Sequence, residues 1–266
     1  MRLCSRCIIR ATCSRRKLKS CVSRTRETGD CTVQPHFDYP HAYLADLPSK
    51  LTATGVGRGY RADEAAEQTP PPRKEVQLRA PLFEKGEKKL TPAEIGTAHH
   101  LFMQFCDFDA ACAPNGVENE LNRLAEKKIL STEQAYAVDK RKIERFFASD
   151  LYKTFMAENK VRREFKFSVL VPAQAYFPVA ADAPEENVLL QGVIDCLIET
   201  GDGFVILDFK TDRIKKGGAD ERAEQYRPQL AAYARAVHEI YGRPVRACVL
   251  YFFHTGDTEW VSLDET

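Results

Sequence analysis

The stretch at residues 192–210, GVIDCLIETGDGFVILDFK, constrains the fold more than any other part of the chain. Two apolar runs, Val193 to Ile198 and Phe204 to Leu207, flank Thr200-Gly201-Asp202-Gly203. β-Branched and aromatic runs separated by a turn rich in Gly and Asp spell a β-hairpin. Asp195 interrupts the first run, and Asp208 and Lys210 close the second. Alternate residues of a strand share a face, so Asp208 and Lys210 project together. A charge in or beside an apolar strand is costly unless it is paired or bound to metal. Two carboxylates and an ammonium on adjacent strands could satisfy one another around a divalent cation, and hard oxygen ligands with open positions suit Mg²⁺.

The rest of the chain bounds the setting. Its 266 residues allow one or two domains. A net charge of +1 gives no overall pull toward nucleic acid, so any basic surface is local. No apolar run is long enough to span a membrane, and no apolar stretch follows the basic start as a secretory signal requires. Cys106, Cys112, Cys196 and Cys248 stand apart from one another, as reduced thiols do, and the expected location is the cytoplasm.

Residues 1–36 read as a basic, Cys- and Arg-rich leader without helix or strand period, too poor in large apolar side chains to bury a core, and are expected to be disordered. Cys4, Cys7 and Cys13 lack an evident fourth ligand, so no zinc or iron–sulfur site is assigned to them. Residues 37–89, with the polyproline run at 69–73, read as a linker. From 90 to 266 the pattern is that of a folded domain. Thr91, Pro92 and Glu94 form a capping box that starts a helix holding Gly96, Thr97, His99 and His100. Helical spacing returns at 118–129 and, behind a second capping box of Ser131 and Gln134, through Phe146 and Phe147. Ser149 or Asp150 caps a short helix. Alternation predicts a strand at 163–171. The charged residues 212–225, with Gly217 and Gly218, read as a loop. A helix follows at 226–241 with Pro228 in its first turn and Gly242 at its end, and then a buried strand at 245–253.

The order of polar groups is distinctive: Glu164 on one strand, Asp195 on the next, Asp208-Phe209-Lys210 on the third, then a helix on which Gln229 and Tyr233 share a face. This order resembles the PD-(D/E)XK nuclease superfamily. Within it, Gly96-Thr97-x-x-His100, Gly192-x-x-Asp195, Asp208-x-Lys210-Thr211-Asp212 and Tyr226-Arg-Pro-Gln229-Leu-x-x-Tyr233 resemble the C-terminal nuclease domain of AddA-type, RecB-related helicase–nuclease proteins. Tyr39-Pro40, Leu47-Pro48-Ser49-Lys50-Leu51 and the run from Leu90 to Thr97 extend the likeness.

The resemblance implies an α/β fold, a mixed central sheet flanked by helices. It implies a metal-dependent DNA exonuclease that hydrolyses phosphodiester bonds with Mg²⁺, or alternatively Mn²⁺, in double-strand break repair and recombination. Its partner would be a second, AddB-like subunit. On that reading His100, Asp195, Asp208 and the carbonyl of Phe209 hold the metal. Lys210 orients the attacking water or stabilises the transition state, and Gln229 and Tyr233 brace Lys210 or meet the DNA backbone. Glu164 is a further acid near the metal or a partner of Arg162 or Arg163. His99 competes with His100 for the role of ligand. No G-x-x-x-x-G-K-[ST] loop occurs in the sequence, so the expectation is a fragment carrying the nuclease domain without its ATP-driven motor. A catalytically silent DNA-binding or subunit-docking module is the alternative.

Overall fold

A computed structural model of the chain describes residues 42–45, 47–56 and 90–263. The expected leader, its cysteines, the polyproline run and most of the expected linker lie outside the described residues. The chain divides into two compact units, and everything below concerns the second, which begins at Tyr43.

A six-stranded sheet forms the centre, in the order β1 (Lys50–Thr52), β3 (Asn187–Thr200), β4 (Gly203–Lys210), β5 (Val245–Phe252), β6 (Thr258–Val261), with β2 (Lys160–Pro172) paired to β3. The hairpin is as the sequence implies: β3 and β4 are antiparallel and meet at Thr200↔Gly203 across a two-residue turn. β1 arises within the stretch expected as a linker and runs parallel to β3. β4 and β5 are also parallel, so the sheet is mixed.

Helices α1 (Pro92–Phe105), α2 (Phe108–Ala111), α3 (Gly116–Glu126), α4 (Thr132–Ala137) and α5 (Lys140–Ala148) pack on one face of the sheet, and α6 (Ala219–Tyr241) covers the other. Both capping boxes form, at Thr91 with Glu94 and at Ser131 with Gln134. Of the two residues expected to cap the turn Leu151–Met156, Ser149 does so, accepting from the Tyr152 N–H at 3.3 Å. β4 is buried on both faces, which explains its unbroken apolar run. Val205, Leu207 and Phe209 face α1–α5, whereas Phe204 and Ile206 face α6. Asp208 and Lys210 continue the second set, so the period-2 rule turns them toward α6.

One expectation is corrected. The helix begins at Ala219, not at Tyr226, so only the first part of the expected loop at 212–225 is a loop and Pro228 lies inside the helix. An interior proline costs roughly 3 kcal/mol. Ala219, Ala223, Leu230, Tyr233 and Val237 repeat at helical spacing and are buried against the sheet, and that burial outweighs the defect. Charged neighbours hide this small-residue stripe in the sequence.

Candidate active site

The hairpin opens at its far end. The β3–β4 ladder stops at Cys196↔Leu207. Beyond that pair β4 continues beside β5 as far as Lys210↔Phe252, while β3 stays with β2 and then β1. Asp195 and Asp208 are the next residues after the last pair, one on each arm of the fork. A side chain closes the gap left by the missing ladder bond: Asp195 Oδ2 accepts the Phe209 N–H at 2.7 Å. Splayed strands ordinarily leave such donors without partners, and here a carboxylate takes one.

The strand opposite is distorted at the same level. Glu164 would face Asp195 in the β2–β3 register, but the pairing skips from Arg163↔Cys196 to Phe165↔Ile194, and Glu164 has φ of 51°. A non-glycine residue in the left-handed region is strained, typically by about 1–3 kcal/mol. The distortion changes which face is which. Val161 packs with the α1–α5 core and Phe165 with the α6 core, although even spacing should keep them together; Cys196 and Ile194 part in the same way. The inversion re-aims Asp195 relative to a regular strand.

Close packing sets the other elements around the fork. A Cβ at Gly96 would lie 2.8 Å from Thr211 Oγ1, so glycine lets α1 approach the segment leaving β4. One turn later His100 Nδ1 reaches Asp195 Oδ1 at 3.3 Å. A Cβ at Gly192 would lie 2.6 Å from Phe167 Cζ, so only glycine leaves room for that ring three residues before Asp195.

On the α6 side Lys210 Nζ lies 2.6 Å from Asp208 Oδ2. It donates to Gln229 Oε1 at 3.3 Å. Gln229 Nε2 donates to Tyr233 Oη at 2.7 Å and to Asp208 Oδ1 at 3.4 Å. Tyr233 is 2% exposed and bonds Gln229, which in turn bonds Lys210. His99 does not face the fork. It is 3% exposed, with Nδ1 against Ile95 O at 2.8 Å and Nε2 accepting the Asp139 N–H at 3.3 Å, so it is the neutral tautomer and a link between α1 and α5. Phe209 gives its N–H to Asp195 and its ring to the core beside Phe146 and Phe253; the role of its carbonyl is an expectation from the resemblance. Arg163, a candidate partner of Glu164, instead donates to Met103 O and Cys106 O at the end of α1.

The electrostatics favour a cation. Burial pushes the Asp208 carboxyl up to about 6, against the pull of Lys210. Burial and then the Asp195 charge raise Glu164. Burial would lower His100, but its hydrogen bond to Asp195 and the charges of Asp195 and Asp208 hold it above its ordinary value. Asp208 Oδ2 is buried and faces the Lys210 ammonium at 2.6 Å. Crowded carboxylates, one of them buried, and a neighbouring imidazole fit a hard divalent ion. Among the described residues no three such groups already surround a common point: Asp208 is turned to Lys210, and Asp195 to Phe209 and His100. The residues fit such an ion in kind.

Tyr226 is the neighbour that sequence reasoning left without a role. Its ring centroid lies 3.8 Å from Lys210 Nζ. The available signal was its spacing, one turn ahead of Gln229 on the same face of α6.

A forked hairpin bearing Asp195, Asp208 and Lys210, with helices on both faces of a mixed sheet, defines a class. The chain belongs to the PD-(D/E)XK nuclease superfamily, whose family model matches residues 73–262. Its relatives narrow the class. They carry the name of the A component of an ATP-dependent helicase/nuclease. The chain is 39% identical over 223 residues to that protein from Desulforamulus reducens, covering 83% of this chain and 18% of the relative. The protein of the same name from Moorella thermoacetica is 38% identical over 244 residues, covering 88% of this chain and 17% of that one. The one from Thermoanaerobacter sp. is 33% identical over 223 residues, covering 84% and 18%. The chain thus spans under a fifth of the length of these curated relatives.

Proposed function

We propose that this chain is a divalent-metal-dependent DNA exonuclease domain of the helicase–nuclease type, with residues 90–266 as the nuclease domain, 37–89 leading into it and 1–36 ahead of it. The convergence of Asp195, Asp208 and Lys210 at the fork of one hairpin is the observation that carries the reading. Asp195 and Asp208 would hold Mg²⁺ or Mn²⁺, with His100 and the Phe209 carbonyl completing the set. When bound, such an ion lowers the pKa of a water and neutralises charge on the phosphoryl oxygens. Lys210 orients that water or stabilises the charge that builds on the phosphate. Gln229 fixes the Lys210 ammonium, and Tyr233 fixes Gln229. Glu164 lies close enough to Asp195 to share its charge environment and serves as a further acid beside the metal.

The relatives' name supports a setting in which the domain works beside an ATP-driven motor. In that setting the protein acts on DNA in the cytoplasm, in double-strand break repair and recombination, and its partner is an AddB-like subunit. Among the described residues no helix is long and apolar enough to cross a membrane.

Degradation of a labelled single-stranded oligonucleotide, with Mg²⁺ and with chelator, tests the reading. Wild type is expected to cleave only with metal, and Asp208→Ala to lose at least roughly a thousandfold in rate. Full cleavage by Asp208→Ala would reject it. The inward-turned Asp208 favours a second reading, a silent DNA-binding or docking module. DNA binding indifferent to chelator, with no cleavage at any Mg²⁺ or Mn²⁺ concentration, would select that one.

A further inference from the structure

The Lys210 ammonium has three N–H donors. It lies 2.6 Å from Asp208 Oδ2 and 3.3 Å from Gln229 Oε1. Its third side meets the face of Tyr226, with Nζ 3.8 Å from the ring centroid, well inside the roughly 6 Å over which a cation is drawn to an aromatic face. With a side-chain exposure of 12%, Lys210 is shielded enough for that attraction to count.

The ring is itself tied down. Tyr226 Oη donates to Asp212 Oδ2. Arg222 Nε donates to the same carboxylate oxygen at 3.2 Å, and its Nη2 to Tyr226 Oη at 3.2 Å. Asp212 lies two residues beyond Lys210, and Arg222 one turn before Tyr226. The tether therefore ties the segment leaving β4 to the first turns of α6. A phenol donating to a carboxylate is also more electron-rich, which strengthens its hold on a cation.

We propose that Tyr226, locked by Asp212 and Arg222, is the positioning residue that keeps the Lys210 ammonium in place beside Asp208. The inference rests on the nuclease reading for its catalytic consequence, though not for the contact itself. A metal on Asp208 would draw on the same carboxylate charge that holds Lys210. With that pull shared, Gln229 Oε1 and the ring of Tyr226 carry more of the hold on the ammonium. Gln229 then has a second aim, toward Tyr233, whereas the ring draws the cations of Lys210 and Arg222.

The test uses the full chain with Tyr226→Phe, which keeps the ring, and Tyr226→Leu, which removes it. The first readout needs neither DNA nor metal: the ¹H–¹³C resonance of the Lys210 ε-methylene, assigned by its disappearance in Lys210→Arg. Ring current should hold it upfield in wild type and Tyr226→Phe and release it in Tyr226→Leu. A Lys210 resonance unmoved in Tyr226→Leu overturns the proposal. The second readout is the division between kcat and KM. Tyr226→Leu should lose roughly tenfold in kcat with KM little changed, and Tyr226→Phe far less. Equal losses in the two variants overturn it, since they would place the effect in the hydroxyl. Should Tyr226→Leu fail to fold, Tyr226→Met, which also removes the ring, carries the same test: a Lys210 resonance that stays put overturns the proposal. Absence of cleavage by every variant would defeat the nuclease reading alone, because the resonance reports the contact independently.

Discussion

Replacing Gly192 by alanine should loosen the sheet at the base of the fork. The added Cβ would lie 2.6 Å from Phe167 Cζ, 2.8 Å from Cε1 and 3.1 Å from the Ala53 Cβ. Carbon atoms rest at about 3.5–4.0 Å, so the overlap with the ring approaches an ångström. Phe167 is 6% exposed and meets Tyr233 edge-on at 5.9 Å, so the ring has little room to retreat. Overpacking of this kind costs about 1–3 kcal/mol. Alanine recovers about 0.5–1 kcal/mol by restricting the unfolded chain and favouring the strand. The net loss is on the order of 1–2 kcal/mol, which for a domain of this size lowers Tm by several degrees. Urea unfolding followed by circular dichroism reads it as a lower midpoint at unchanged slope. Phe167→Leu supplies the control. If the ring is the obstacle, the double variant should be more stable than the sum of the single losses predicts, by about 1 kcal/mol. An alanine variant as stable as wild type, or strictly additive losses, would refute the account of why glycine stands there.

Two further outcomes follow from buried polar groups. Glu120 is 4% exposed and accepts from Arg123 Nε at 2.7 Å, Arg123 Nη2 at 2.5 Å and the Asp107 N–H at 2.6 Å. Arg123 foremost holds its carboxyl below the ordinary 4.5. A depressed acid stabilises the fold above its unfolded value and loses that contribution as pH falls. Glu120→Gln should therefore cost about 2 kcal/mol at neutral pH, with the gap to wild type closing below pH 4.5, in urea midpoints taken across the acid range. His99→Ala strands the Asp139 N–H and should cost about 1–3 kcal/mol in the same assay. His100→Ala, whose ring is 34% exposed, should cost less and weaken Mn²⁺ binding by calorimetry instead. The reverse pattern would return His99 to the site.

The legible parts of this chain were those with a local physical cause. Capping boxes, the Gly201-Asp202 turn and the apolar run of β4 each act within a few residues, and each reads directly. Asp195, Asp208 and Lys210 were legible for a different reason: a charge in an apolar strand demands compensation, and the hairpin puts the three within reach. What stayed hidden depends on distant partners. β1 is three residues long and exists only because β3 offers it an open edge. The start of α6 was masked by charge, since Ala219 and Ala223 are too small to register as an apolar stripe. The left-handed turn at Glu164 leaves no mark on the alternation of Phe165, Phe167 and Val169. Tyr226 was visible as a spacing, but its bearing on Lys210 depends on Asp212 and Arg222 meeting across the loop.

On the proposed function Asp195 and Asp208, one on each arm of the hairpin, form a single cation site. Calorimetric titration of Mn²⁺ into the DNA-free chain tests it most directly, with Asp195→Asn and Asp208→Asn as partners that keep shape and remove charge. Wild type should bind saturably, and each variant should weaken binding by more than roughly a hundredfold, beyond what losing a supporting group alone costs. Wild-type affinity in either variant would contradict it.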